Sequence, residues 1–418
     1  MRPPPAHRAT TAHLQAIYPF VAGAGLGTRG IYVGRDCLGG SFCFDPWELY
    51  RAGQLTNPNL IILGQIGRGK STFVKTFLWR QQVFGRRAWV VDPKGEYRPL
   101  AEAAGGTTLR LAPGGAIRLN PLDGPGGPGI PVGIGSADRS GVHRRAELLC
   151  SLAATSLRRD LGPAERTAVT LAVDVAVHGH PEPTVGHVIA ALLDPEPETA
   201  AEVRTDVAGL AADGRQVALE LRRLVEGDLA GMFDAPTSPG IDLDRPIVVV
   251  DLSALHGSPA LGILMACATA WLQARLARHD GVGRLVVVDE AWAIIHDLAM
   301  ARWLQAGFKL SRAFGVANMA VVHRLSDLRA AGSEGSEQQR LAEGLLSDSE
   351  TRVIFGQPPS ELAEAKDLLG LTATEAELLP HLARGMALWK VGVRSFLVEH
   401  RLAGAEARLV DTDSAMRT

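Results

Sequence analysis

Apolar and polar positions alternate in two distinct rhythms along this chain. Short apolar runs bounded by glycine, proline or acids predict strands buried on both faces. They fall at Leu60 to Leu63, Arg86 to Val91, Pro246 to Leu252, Arg284 to Glu290, Val316 to Val322 and Thr351 to Gly356. Pro246 opens its run, where the missing N–H is tolerated. Segments of helical period lie between these runs: FVKTFLWRQQVF after the first, then Pro259 to Arg278, Phe308 to Phe314, a stretch around Leu341 to Ser347, Glu361 to Leu369, and Thr374 to Leu382. Thr372 with Glu375 forms a capping box for the last. Gly30 to Phe44 predicts a hairpin turning near Gly39-Gly40. Asp45-Pro46-Trp47 closes it, and WELYRAGQL forms one short helix. Thr107 to Leu111 and Ala116 to Leu119 predict two short strands about a Pro-Gly turn. Met386 to Val391 and Arg394 to Glu399 predict a final hairpin about Gly392.

From Arg139 to about Phe233 the pattern is helical throughout, and strand signals resume only afterwards. The chain therefore divides into an N-terminal arm (1–22), the first part of an α/β core (23–135), an inserted all-helical subdomain (136–235), the second part of the core (236–411) and a tail (412–418). Gly124 to Gly135 is expected to be a flexible passage, and Glu334 to Gln339 an exposed loop.

A formal charge of −2 over 418 residues argues against a generally basic surface. A local patch on DNA stays open, because net charge does not describe distribution. Lysine is scarce, six against 37 arginines, and two of the six, Lys70 and Lys94, stand in the motifs described next. Cys37, Cys43, Cys150 and Cys267 lack CxxC spacing and are expected to be buried thiols of a reducing cytoplasm. No run approaches the eighteen or more apolar residues of a membrane helix, and MRPPPAHRATTAHLQ has no signal-peptide apolar region. The expected location is cytoplasmic, with peripheral attachment to a membrane complex left open.

The chemistry begins at the first strand. Gly64, Gln65, Ile66, Gly67, Arg68, Gly69, Lys70 and Ser71, followed by Thr72, match G-x-x-x-x-G-K-[ST] between a strand and a helix. In such a loop the backbone N–H groups converge on phosphates, Lys70 reaches the β- and γ-phosphates, and the Ser71 hydroxyl holds Mg²⁺. A second cluster, Asp92-Pro93-Lys94-Gly95-Glu96-Tyr97, follows the next strand, where α/β sheets place functional groups. Either Asp92 or Glu96 orients the attacking water or engages Mg²⁺ through its shell while Lys94 meets phosphate, or these charges satisfy one another in a polar turn. A third, Asp289-Glu290, ends RLVVVDE. Asp289 suits Mg²⁺ contact through water, and Glu290 suits the general base or water-orienting group. His323, at the end of VANMAVV, is either a hydrogen-bond donor to the γ-phosphate or an ordinary polar strand end.

The order and spacing of these motifs resemble the ATPase domain of the VirB4/TraC family of conjugation and type IV secretion proteins, within the HerA–FtsK class of motors. The resemblance covers Gly23 to Asp411. It rests on FDPW, GQIGRGKST, VVDPKGEY, LNPLD, FDAPTSP leading into VVVDLSAL, VVVDEAW and the closing GMALWKVGVRSFLVE. It implies a RecA-like P-loop NTPase core with a mainly parallel sheet and an all-helical insertion, using ATP and Mg²⁺. It further implies a homo-oligomer, usually a hexameric ring, in which an arginine of one subunit reaches the neighbour's ATP. Arg312 in LSRAFG matches that arginine, with Arg352 and Arg324 as weaker matches. The family usually has glutamine where His323 stands. Full VirB4 proteins carry a long domain ahead of the motor, so a stand-alone module partnered by separate membrane channel proteins is expected here. The implied function is an ATP-hydrolysing motor for conjugative DNA transfer or protein secretion. Two alternatives remain: a duplex-DNA translocase and a nucleotide-dependent assembly scaffold. Asp289-Glu290 speaks against the scaffold, because binding alone needs no water-activating acid.

Overall fold

The uninterrupted apolar runs become the parallel centre of one eleven-stranded sheet. The computed structural model describes residues 25–124, 136–227, 229–258, 260–275, 281–295, 298–323 and 337–410. The strands are β1 (Ile31–Asp36), β2 (Gly40–Phe44), β3 (Leu60–Leu63), β4 (Arg87–Asp92), β5 (Thr107–Arg110), β6 (Ile247–Asp251), β7 (Arg284–Val288), β8 (Val316–Val322), β9 (Thr351–Phe355), β10 (Met386–Val391) and β11 (Arg394–His400). Their order is β2-β1-β11-β10-β9-β3-β8-β7-β4-β6-β5. From β9 to β5 every neighbouring pair is parallel. The pairs from β2 to β9 are antiparallel and extend the sheet on one side.

Burial on both faces is why the central strands read as continuous apolar runs. Leu60, Ile62, Val90, Val249 and Val287 face the layer holding Phe73, Val74 and Phe77 of the helix Lys70–Gln81. Ile61, Leu63, Val91, Val250 and Val288 face the other layer, which is continuous with Leu149, Val169 and Val217 of the inserted helices. Those helices, Ser136–Leu157, Pro163–Gly179, Val185–Leu193, Pro197–Glu202 and Val207–Val225, lie in sequence between the adjacent strands β5 and β6. The first packs against Leu298–Phe314 and Leu261–Arg275, so the insertion is seated on the sheet's helical cover.

Two motifs join the insertion to the core. Asn120 of LNPLD donates to Pro183 O at 2.8 Å, and its N–H donates to Thr237 Oγ1 of FDAPTSP at 2.8 Å. Thr237 Oγ1 donates to Asp123 Oδ2 at 2.6 Å, and Trp271 Nε1 lies 3.1 Å from the same carboxylate oxygen. Each buried polar group here has a partner, which is what a buried network requires.

Several expectations need correction. Ala116 to Leu119 is not a strand: Leu119 N donates to Met232 O and Ser238 N to Arg118 O, so the segment pairs with an irregular loop. The helix expected near Leu341 begins at Glu337, inside the expected Glu334–Gln339 loop, and residues 334–336 lie outside the described residues. The helix expected at Phe308 begins at Leu298. Helices Arg98–Ala103 and Trp292–Ile295 have no counterpart in the sequence reading. Of the four cysteines Cys267 is buried, whereas Cys37 is exposed because it sits at the β1–β2 turn. The arm 1–22, the tail 412–418 and all but Gly124 of the Gly124–Gly135 passage lie outside the described residues. Among the described residues no helix is long and apolar enough to cross a membrane.

His400 lies on β11, against the helix Lys70–Gln81. Its Nε2 meets Thr76 Oγ1 at 2.8 Å, and its ring lies edge-on to Phe73. Burial, aided by Arg80, lowers its pKa to about 4. The unfolded chain therefore binds a proton near pH 6.5 that the folded chain refuses until about pH 4. This contribution to stability is complete above pH 6.5 and is lost as pH falls through that window. His400→Gln is expected to flatten the decline, the wild type losing about 3 kcal/mol relative to the variant between pH 6.5 and 4 by urea denaturation.

Candidate nucleotide-binding and hydrolytic site

The sheet order places the candidate motifs on four neighbouring strand tips: β3 carries the phosphate loop, β8 His323, β7 Asp289-Glu290 and β4 Asp92-Pro93-Lys94. All lie at the carboxyl ends of parallel strands, the general ligand side of such sheets. Only β8 separates the loop strand from the acid strand, a gap of roughly 10 Å at normal strand spacing.

The candidate phosphate loop is tethered by groups from the C-terminal third of the chain. Gln65 N donates to Gly356 O at 3.1 Å, and Gly385 N donates to Arg68 O at 3.0 Å. Gln357, with its amide oriented to suit its neighbours, accepts from Gly64 N at 3.2 Å. Arg68 turns away from the loop mouth, and its Nη1 donates to Leu382 O at 3.3 Å. Gly64 has a φ of +155° and lies so close to β9 that an added Cβ would sit 2.5 Å from Phe355 Cβ. Gly69, with a φ of +107°, turns the loop into the helix Lys70–Gln81. Ile66, at the loop tip, is exposed. Lys70 is buried, and its ammonium donates to the Gly64 and Gln65 carbonyls of its own loop.

Asp92 builds the second loop. Its Oδ1 accepts from Lys94 N (3.1 Å) and Gly95 N (2.9 Å), and its Oδ2 accepts from Tyr97 N (2.9 Å). Both oxygens are thus engaged by backbone, and burial raises the pKa to about 7 despite those bonds. Glu96 pairs with Lys75 at 3.7 Å. Lys75 lies four residues beyond Ser71, on the same helix face. It is almost wholly buried, with its ammonium 5.3 Å from the Tyr97 ring centroid. Burial lowers its pKa, opposed by Glu96, Asp92 and Asp289. Lys75 is therefore an internal counter-ion to the acids, which the sequence reading missed and which its i+4 spacing from Ser71 would have marked.

Glu290 is buried, with a φ of +54° that turns the chain sharply off the end of β7. A non-glycine residue held there signals a conformation imposed by its surroundings. Ala291 N bonds Val321 O and Glu290 N bonds Asp289 Oδ1. Its Oε1 receives Lys94 Nζ and, at 2.5 Å, His323 Nε2, and its Oε2 accepts from Trp292 Nε1. Lys94 Nζ and His323 Nε2 lie 3.4 Å apart, so these three residues form one triangle. Burial works against the Glu290 charge, but the His323 and Lys94 hydrogen bonds outweigh it and lower the pKa to about 2. Trp292 is the partner that sequence did not indicate, because only the turn at Glu290 brings its indole back.

Asp289 is buried, and its pKa is raised by burial and then by the charge of Glu290. The buried Asp289 carboxylate beside Glu290, with the Ser71 hydroxyl as a second oxygen donor, fits a hard divalent cation such as Mg²⁺. Among the described residues no three His, Cys, Asp or Glu side chains form a metal site by themselves. A magnesium here would thus depend on phosphate oxygens and water, as is usual for this ion. Arg312 lies on the helix Leu298–Phe314 with its side chain outside those described, and Arg324 lies outside the described residues. Arg352 turns inward and donates to the Leu369 and Leu346 carbonyls.

This fold is similar to those of several solved proteins. The structure of VirB4 from Thermoanaerobacter pseudethanolicus is 23% identical, with a TM-score of 0.72 over 92% of this chain and 100% of that one. The plasmid coupling protein TrwB in complex with the non-hydrolysable ATP analogue ADPNP is 14% identical, with a TM-score of 0.58 over 91% and 97% of the two chains. TrwB in complex with ADP and Mg²⁺ is likewise 14% identical, with a TM-score of 0.55 over 91% and 97%. At these identities the likeness is one of fold, a RecA-like P-loop NTPase core with a helical subdomain. No protein-family model matches the chain, and no curated protein matches it significantly in sequence.

Proposed function

We propose, from a fold shared with VirB4 along nearly the whole of both chains, that this protein is an ATP-hydrolysing motor of the VirB4/TraC type. It would energise conjugative DNA transfer or protein secretion from the cytoplasmic face of a membrane channel. The observation that carries this reading is the meeting of His323, Glu290 and Lys94 at the tips of β8, β7 and β4, with β3 and its Gly64–Ser71 loop next in the sheet. The division into core 23–135, insertion 136–235 and core 236–411 belongs to the same proposal. So does a ring of subunits in which Arg312 reaches the neighbouring site.

The phosphate loop would bind the ATP phosphates through its backbone N–H groups and Lys70. Ser71 and Asp289 would hold Mg²⁺, which when bound supplies positive charge to the phosphate oxygens. Water, oriented and deprotonated by Glu290, would attack the γ-phosphorus as the bond to the bridging oxygen breaks. Its proton passes to the Glu290 carboxylate, and ADP leaves with the bonding electron pair. Lys70 would stabilise the charge on the transferred group.

The test is steady-state ATP hydrolysis by the purified chain across protein concentration, with and without double-stranded DNA. Turnover per subunit is expected to rise with concentration, as a site completed by a neighbour requires. Indifference to DNA supports a secretion motor awaiting its protein partner, and stimulation moves the reading to a DNA translocase. ATP binding without turnover at any concentration overturns the motor and leaves the assembly scaffold.

A further inference from the structure

Both oxygens of the Glu290 carboxylate are engaged in this structure. Lys94 and His323 meet at one oxygen and Trp292 donates to the other, while the residue is only 3% exposed. A carboxylate so surrounded has little room for an attacking water. One partner has to leave before hydrolysis, and the three differ in how readily they can. His323 directly follows β8, and Trp292 starts a short helix pinned by the Ala291 N–H to Val321 O bond. Each presents a rigid ring on two rotatable bonds. Lys94 is a point charge on a flexible four-carbon stem, its side chain is 29% exposed, and its backbone is held separately by Asp92.

We propose that Lys94 caps Glu290 when no ATP is bound and moves to the terminal phosphate when ATP binds, uncovering the base for water. This rests on the reading of the site as an ATP site, and it adds a rule for when that site is armed. A γ-phosphate offers more negative charge than one carboxylate and several oxygens to accept from the ammonium. ADP lacks that group and cannot draw the lysine away. The cap therefore distinguishes ATP from ADP by what it releases, and it suppresses water activation around an incomplete substrate. Glu290 and the γ-phosphate compete for one ammonium, so removing either competitor changes the affinity of the other.

Equilibrium binding of a non-hydrolysable ATP analogue and of ADP, each with magnesium, tests this without catalysis. The full chain is compared as wild type, Glu290→Gln, Lys94→Met and the double variant. Glu290→Gln is expected to tighten the analogue about tenfold, the scale of a partly buried ion pair no longer having to break, with ADP within about twofold. Lys94→Met is expected to weaken the analogue and to remove the gain in the double variant, again with ADP little changed. Unchanged ADP affinity shows that the variants are folded. Equal shifts for both nucleotides in Glu290→Gln, or a gain that persists without Lys94, overturn the cap while leaving an ATP site in place. Wild type that binds neither nucleotide removes the ATP-site reading, and the cap with it.

Discussion

Glu290→Gln is expected to lower steady-state ATP turnover by about 10²- to 10⁴-fold, the usual contribution of a positioned general base, while ATP remains bound. The substitution keeps the shape of the side chain, and Trp292 still finds an oxygen or can rotate to one. What disappears is the negative charge that receives a proton from water. Lys70→Ala is expected to differ in kind. Its ammonium is directed into the Gly64–Ser71 loop, where it donates to the Gly64 and Gln65 carbonyls. Its loss therefore weakens nucleotide binding as well as the chemical step. Measured together, Glu290→Gln lowers kcat with KM unchanged or reduced, whereas Lys70→Ala raises KM and lowers kcat. Turnover within tenfold of wild type in Glu290→Gln would remove Glu290 as the base. Asp92 could not simply replace it, because backbone N–H groups engage both of its oxygens.

The same residues mark how far sequence reaches. The strand–turn–helix around Gly64 to Ser71 was legible because its signals are local: an apolar run, glycines at fixed intervals, then helical period. Asp289-Glu290 was legible as a strand tip for the same reason. Roles inside DPKGEY were not. That Asp92 turns on its own loop depends on the backbone conformation after β4, and that Lys94 meets Glu290 depends on β4 lying beside β7. Sheet order is a tertiary fact with no imprint on either segment. The interlock of Asn120, Asp123, Thr237 and Trp271 was hidden likewise, although LNPLD and FDAPTSP were visible as motifs. Ala116 to Leu119 shows the opposite failure. Its composition suits a strand, but the place beside β6 is taken by β5, and its N–H groups are satisfied by a loop.

Asp45→Ala is expected to destabilise the fold by about 3–5 kcal/mol, because it strands a buried guanidinium. In FDPW the aspartate is 1% exposed, and its Oδ1 caps the helix Pro46–Arg51 by accepting from Trp47 N and Glu48 N. Its Oδ2 accepts from Arg86 Nη2 at 2.6 Å, and the Arg86 guanidinium lies 3.9 Å from the Trp47 ring centroid. Trp47 Nε1 in turn donates to Gly315 O, just before β8. Removing the carboxylate leaves a charge on an aromatic face with its ion-pair partner gone, and it also removes the cap. Asp45→Asn, which retains an oxygen for the cap, is expected to fall between wild type and Asp45→Ala in urea denaturation. Adding Arg86→Met to Asp45→Ala is expected to recover most of the loss, leaving about 1 kcal/mol for the missing cap. A double variant as unstable as the single one would show that the cap and local packing, not the orphaned charge, set the cost. This cluster lies at the amino ends of β7 and β8, away from the strand tips that carry Lys70 and Glu290. At a temperature where Asp45→Ala remains folded, its turnover per molecule should therefore match wild type, which separates the structural role of FDPW from the chemistry of the motifs that follow it.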